Sequence, residues 1–177
     1  AAERLTEVNL SITTLDAELA RTLEPRTSTP AAKLRAMRRL ADAGVPVRVM
    51  VAPVVPGLTD HEIPSILAAA AEAGASSAGY ILLRLPLTVE PIFVDWLQRH
   101  VPDKRPRIES LLRTMRGGKL YRSAWGERMR GSGEYAEQIA QTFAVFRRKS
   151  GLDRPLSEPD VTKFRPPTPP GGQKTLF

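Results

Sequence analysis

Arg84, Glu24, Arg26 and a polar row at Asn9, Ser11 and Thr13 are the groups whose type and spacing could do chemistry in this 177-residue chain. Arg84 lies near the end of Gly79-Tyr80-Ile81-Leu82-Leu83-Arg84-Leu85, just before Pro86. A guanidinium at the end of an apolar strand can grip a carboxylate or phosphate through two parallel hydrogen bonds. It can equally form a salt bridge to Glu24 or another nearby acid. Glu24 and Arg26 share a loop at the same mouth, where they either pair with each other or touch a ligand. His61 and His100 are the only imidazoles, far apart in sequence, and cysteine is absent. Neither a disulfide nor a thiolate-bound metal is available to these residues, and metal binding by the chain itself is not expected. His61 reads as a solvent-facing helix residue.

The elements that must position these groups centre on 45–74. Val47, Val49 and Val51 form a β-branched strand of period two. Pro53 and Pro56 should end its ladder near Ala52, and Gly57 permits a tight turn. Thr59 and Glu62 have capping-box spacing, with Leu58 and Ile63 as a hydrophobic staple. Pro64 removes a first-turn hydrogen bond, so that helix should kink or restart. Strand, apolar turn and helix make a βα unit whose loop lies where parallel sheets bind ligands.

Around that unit, Val8–Thr13 reads as a strand and Ala17–Leu23 as a short helical turn. A second helix has Thr29 as cap, Pro30 at its first position and Gly44 beyond its end. Leu34, Met37, Leu40 and Ala41 share one face of it. Gly79–Leu85 is the third strand. Alternating strands and helices imply right-handed parallel crossovers. Three apolar rows, Val8/Leu10/Ile12, Val47/Val49/Val51 and Ile81/Leu83/Leu85, should face covering helices. The opposite rows, Asn9/Ser11/Thr13, Arg48/Met50/Ala52 and Tyr80/Leu82/Arg84, then line an inner surface, as in a barrel.

Beyond Pro86 the pattern is helical: Val89–His100 with Ile92, Phe93, Trp96 and Leu97 in a stripe, Arg105–Arg116, and Tyr135–Lys149 with Ile139, Thr142, Phe143 and Phe146 inward. A glycine-rich basic loop, 117–133, separates the last two. From Pro155 onward a loose proline-rich tail is expected, anchored by Leu176 and Phe177. The net charge of +7 is uneven. Residues 1–98 carry 9 Lys/Arg against 11 Asp/Glu, and residues 99–177 carry 17 against 8. That excess suits either a polyanionic partner or a solvated face. A basic nucleic-acid module would use Arg122, Arg128, Arg130 and Arg147–Lys149, with Tyr121 and Trp125 stacking on bases. No run approaches the roughly 20 apolar residues of a membrane span, and no signal-peptide pattern opens the chain. A soluble cytoplasmic protein is expected.

Ser11-Ile12-Thr13-Thr14-Leu15-Asp16, Glu24-Pro25-Arg26, Met50 through Asp60 and Leu83-Arg84-Leu85-Pro86 together resemble the radical S-adenosylmethionine (SAM) superfamily. The likeness is to the group related to spore photoproduct lyase and often labelled DNA repair photolyase. It runs from about Val8 to Gly151 and includes Gln173–Phe177. The resemblance implies an α/β fold: the C-terminal part of a partial (β/α)6 radical-SAM-type parallel barrel, followed by a helical extension. Residues 1–86 would be the partial barrel with its N-terminal strands missing, 87–151 a helical and basic extension, and 152–177 the tail. It also implies an enzyme, lyase-like, whose [4Fe–4S] cluster and SAM yield a 5′-deoxyadenosyl radical that takes hydrogen from substrate. An electron donor for the cluster and a nucleic-acid substrate are the implied partners. The family's C-x3-C-x2-C loop and Gly-Gly-Glu motif are not in this sequence, so the chain reads as an incomplete, inactive part of such an enzyme. By the same resemblance, Ser11 and Thr13 contact ribose. The family's G-x-I-x-G-x-x-E pattern falls on Pro53 through Asp60, with Val55 against adenine and Gly57 allowing close backbone approach. With both outer strand edges open, the isolated chain is expected to be poorly soluble or marginally stable.

Overall fold

The computed structural model describes residues 6–123, 127–154 and 160–163. Three strands, β1 (Val8–Ile12), β2 (Val47–Val54) and β3 (Ser77–Leu82), form one parallel sheet in the order β1-β2-β3. Six helices accompany them among the described residues: α1 (Ala17–Leu23), α2 (Pro30–Asp42), α3 (Ile63–Glu72), α4 (Val89–His100), α5 (Arg105–Thr114) and α6 (Glu134–Lys149). No helix among the described residues is long and apolar enough to cross a membrane.

The local signals explain most boundaries. Asp16 accepts from the backbone N–H groups of Glu18 and Leu19 and starts α1. Thr29 caps α2 by accepting from Ala32 N at 3.3 Å, ahead of Pro30. Gly44 follows α2 with φ near +71°, a conformation costly for a side chain bearing Cβ. The capping box at Thr59/Glu62 is not made. Thr59 Oγ1 instead accepts from Val55 N at 2.9 Å, closing the preceding turn. Glu62 reaches back to the end of β1 and accepts from Leu15 N at 2.7 Å and from Thr14 Oγ1. A 3-10 turn over Asp60–Glu62 intervenes, and α3 restarts with Pro64 in its first turn, where no N–H is needed. The Leu58/Ile63 staple is also absent: the two side chains are buried in different apolar clusters.

One sheet face is packed. Ile12, Val47, Val49, Val51, Ala78 and Tyr80 meet Met37 of α2, Ile63, Ile66 and Leu67 of α3, and Ile139 and Phe143 of α6. The third row differs from the sequence expectation. Val49 pairs with Ala78 and Val51 with Tyr80, so Tyr80 and Leu82 belong to the helix-covered face and Ile81 to the other. Gly79 suits this arrangement. A Cβ there would lie 2.7 Å from Arg48 Nη2 and 2.9 Å from Met50 Sδ, so a side chain at 79 would displace the flexible ends of both. Tyr80 then packs against Phe143, with Arg130 over its ring at 4.0 Å. The ladder also runs past Ala52 to Val54, through a register shift at Pro53.

A second cluster sits beyond the C-terminal ends of the strands. Val55, Leu58, Leu83 and Leu85 pack there with Phe93, Trp96 and Leu97 of α4 and Ile108 and Leu112 of α5. Ile92, expected in the α4 stripe, is 65% exposed.

The two sheet edges are not alike. β3 is partly covered: Leu82 N donates to Met129 O at 2.9 Å, Ala78 N donates to Leu152 O at 3.2 Å, and Ser77 bridges Asp153. Leu152 is buried, so the chain remains packed here after α6. The outer edge of β1 has no neighbouring strand among the described residues. The expected anchor at Leu176 and Phe177 lies outside them.

Candidate functional site

A cavity of about 570 Å³ opens at the C-terminal ends of the strands. Ser11 of β1, Ala52 and Pro53 of β2 and Ile81 of β3 form one side. Glu24 at the end of α1, Arg84 after β3, and Val89, Ile92, Phe93 and Trp96 of α4 complete it. Its size falls within the roughly 300–1,000 Å³ of ordinary small-molecule sites. Three of the residues expected at a ligand site, Ser11, Glu24 and Arg84, thus share one cavity.

Glu24 is held from behind. Its backbone N–H donates to Ala20 O as the α1 cap. Its Oε2 accepts from Thr13 Oγ1 at 2.9 Å and lies 3.5 Å from Lys33 Nζ, an ion pair that is largely buried. Thr13 is 2% exposed, and Ala52 O stands 3.0 Å from the same hydroxyl. One hydroxyl proton therefore serves two acceptors, and Thr13 stitches the loop after α1 to the end of β2. Thr14 continues the pinning: its Oγ1 donates to Glu62 and accepts from Asp16 N. Trp96 Nε1 donates to Thr22 O at 2.9 Å, fixing α4 against α1.

Arg84 does not pair with Glu24. Its Nη2 donates to Tyr121 Oη at 3.4 Å, its Nη1 lies 3.8 Å from Met129 Sδ, and its Nε is buried without a partner. Behind it stands Arg116, 2% exposed, whose Nη1 and Nη2 donate to Glu127 O and Leu83 O, each at 2.9 Å. Burial is the main cause that lowers the Arg116 pKa from its usual value. Tyr121 opposes this, the positive charge of Arg84 adds to it, and Glu127 opposes it. The cavity thus carries Arg84, with Arg116 near it, and Glu24 among mostly apolar lining residues.

Several expected contacts lie elsewhere. Arg26 is exposed and outside the cavity lining. Val55 is fully buried in the second apolar cluster. Gly57, with φ near +74°, lines a separate cavity of about 370 Å³ with Asp60, His61, Arg107, Tyr135 and Thr142. A Cβ on Gly57 would stand 3.0 Å from Leu111 Cδ1, so close packing of α5 is one reason for glycine there. His61 is exposed at that second cavity; His100 is exposed and stacks on Trp96 at 5.3 Å.

In the second cavity Tyr135 donates its phenol proton to Asp60. Desolvation first, then that bond and the Asp60 charge, raise the Tyr135 pKa to about 12, while Arg107 opposes the rise. The folded state holds this proton more tightly than the unfolded chain, whose phenol titrates near 10. The associated stability is present in full below about pH 10 and is lost as pH rises through about 12. A phenolate absorbance step near pH 12 is expected, and Tyr135→Phe should remove it. A step of unchanged size in the variant would show that Tyr135 is not its source.

The basic loop is largely occupied internally. Arg122 pairs with Glu127 at 3.5 Å, Arg130 lies over Tyr80, and Arg128 is also engaged. Trp125 lies outside the described residues. Sequence reasoning missed Arg116 and gave Glu62 its own helix as partner in place of Thr14 and Leu15. Arg116 could have been found: it continues the Ile108, Leu112 spacing of the buried α5 stripe by one more turn.

The description "Radical SAM superfamily" belongs to the family model that matches residues 1–70, the part carrying β1, β2 and most of α3. The match supports that superfamily, and with it a possible enzyme. One uncharacterised protein of Mycobacterium bovis and two of Mycobacterium tuberculosis are each 36% identical to the chain over 172 residues. Those alignments cover 96% of this chain and 46% of each relative, so the chain spans about half their length. No solved structure matches it. The α/β architecture with a small parallel sheet is consistent with part of a radical-SAM-type fold.

Proposed function

We propose that this chain supplies the nucleoside-facing side of a radical SAM active site, in an enzyme of the group related to spore photoproduct lyase. The observation that carries the reading is the convergence of Ser11, Glu24 and Arg84 on one cavity at the strand ends, within and beside the segment that matches the superfamily. SAM brings ribose hydroxyls, an adenine ring and a charged methionine tail. Glu24, oriented by Thr13 and Lys33, would accept from ribose hydroxyls, and the Ser11 hydroxyl can donate to or accept from the same sugar. Ala52, Pro53 and Ile81 offer apolar surface for the base. Arg84, with its unmatched Nε, would take the carboxylate of the methionine tail, or a carboxylate or phosphate of the substrate.

Val55 and Gly57 have a different part in this reading. Val55 supports the turn from within the apolar cluster, and Gly57 lets α5 approach; neither reaches the cavity.

A [4Fe–4S] cluster does not fit these residues. Such clusters are held by thiolates, the sequence has no cysteine, and no group of three or more His, Asp or Glu among the described residues could hold a metal ion. In the complete enzyme the cluster ligands would come from residues outside this chain. A cluster held there would supply one-electron reduction of SAM. The chain's own share is to hold the nucleoside, exclude water with α4 and place an anion at Arg84.

The complete protein, reconstituted anaerobically with iron, sulfide and a reductant, is expected to convert SAM to 5′-deoxyadenosine. Arg84→Ala should reduce that yield about tenfold or more while thermal unfolding stays unchanged, as for loss of one charge-assisted hydrogen bond. Absence of 5′-deoxyadenosine from a protein loaded with its cluster would overturn the proposal. Full yield from Arg84→Ala would remove only the anion clamp.

A further inference from the structure

We propose that Arg48, Arg147 and Arg154, together with Ser77, form a recess that binds a phosphate group at the N-terminal end of the sheet. This is the end opposite the cavity of Ser11 and Glu24, so the inference stands apart from the SAM reading. A cavity of about 330 Å³ is lined there by these four residues and Asp153.

The backbone fixes the arrangement. Arg48 is the second residue of β2 and Ser77 the first of β3, and their Cα atoms are paired across the sheet. Arg147 comes from the last turn of α6. Arg154 follows the segment tied to β3 through Leu152 O and the Ser77–Asp153 bridge. Three guanidinium groups therefore arrive from three separate elements.

Their polar atoms are unmatched. The Nε atoms of Arg48 and Arg147 and the Oγ of Ser77 are buried without a hydrogen-bond partner, and Ser77 is only 5% exposed. Asp153 lines the same recess, yet no ion pair joins it to any of the three arginines. Three positive charges against one negative leave an excess of two. The C-terminal end of α6 contributes partial negative charge, which that excess outweighs.

The donor set selects the ligand. Guanidinium groups only donate, and Ser77 adds a hydroxyl that can donate too. A planar carboxylate offers two oxygens to donors that surround it on three sides. A tetrahedral phosphate offers three or four, and its charge matches the excess. SAM carries no phosphate and is not the ligand here. The group could come from a small phosphate compound or from a nucleic-acid backbone, since exposed Arg148 and Lys149 continue the positive surface along α6.

The test titrates the complete protein with inorganic phosphate at matched ionic strength, following thermal unfolding and the phosphorus resonance. Phosphate should bind and stabilise where chloride does not. Arg48→Gln and Arg154→Gln should each weaken phosphate binding about tenfold or more, whereas Arg35→Gln on the exposed face of α2 should not. Arg154 is exposed, so its variant keeps the test decisive even if Arg48→Gln disturbs packing at Gly79. Equal effects of phosphate and chloride would overturn the proposal, as would unchanged phosphate binding in Arg154→Gln. A single-stranded oligonucleotide that displaces phosphate assigns the recess to a nucleic-acid backbone. Retention of phosphate against it assigns the recess to a small phosphate compound.

Discussion

Arg116→Met should cost about 2–6 kcal/mol of folding stability, since a buried and a part-buried carbonyl lose their donors at about 1–3 kcal/mol each. Leu83 O and Glu127 O are the groups left behind. They lie on the segment after β3 and on the loop whose Met129 O completes the β3 edge. The loss should therefore spread. Met129 Sδ and Tyr121 both touch Arg84, so the Arg84 side of the main cavity loosens along with the fold. Urea unfolding measures the effect, as a lower midpoint at unchanged slope. Methionine keeps the stem packed and isolates the guanidinium. A midpoint within experimental error of the parent would mean that water satisfies both carbonyls, and the clamp would carry no stability.

Glu24→Gln should weaken binding of SAM to the complete protein by about 10- to 100-fold, the range for a hydrogen bond to a charged group. Glutamine preserves volume and still accepts from Thr13, so the wall keeps its shape while the carboxylate is gone. Lys33→Met provides the contrast. If Glu24 served only to neutralise Lys33, both variants would act through stability and leave affinity alike. If Glu24 holds the nucleoside, Lys33→Met should leave affinity near the parent value and Glu24→Gln should not. Calorimetric titration separates the two, and equal affinities for parent and Glu24→Gln would remove Glu24 from the site.

Local chemistry was legible in the sequence wherever one element decided its own limits. Ala17–Leu23 and Val89–His100 have the bounds read from pattern, and Thr29-Pro30 opens α2 as expected. Misreadings came where a distant group competed. Glu62 had the spacing to cap its own helix, but Thr14 and Leu15 of another loop offered better geometry. Tyr80 was read onto the inner face because alternation does not state which phase a mixed apolar strand adopts; the pairing of Val49 with Ala78 and Val51 with Tyr80 does. Of the candidate site, Ser11, Glu24 and Arg84 could be placed at one mouth from strand ends alone. Their partners could not. Tyr121 is remote in sequence, Lys33 reaches Glu24 only once α2 folds back on α1, and nothing in the pattern indicates that Arg84 turns toward a phenol and a thioether rather than an acid.

The unequal borders of the sheet give it a direction. Beside β3, part of the edge is taken by Met129, Leu152 and Asp153; beside β1 no strand pairs among the described residues. An extended segment that joins this sheet, whether from the same polypeptide, a second copy or an added peptide, finds the more open edge next to Val8–Ile12. A newcomer there would flank Ser11, bringing its own side chains to the rim of the cavity where a nucleoside is expected.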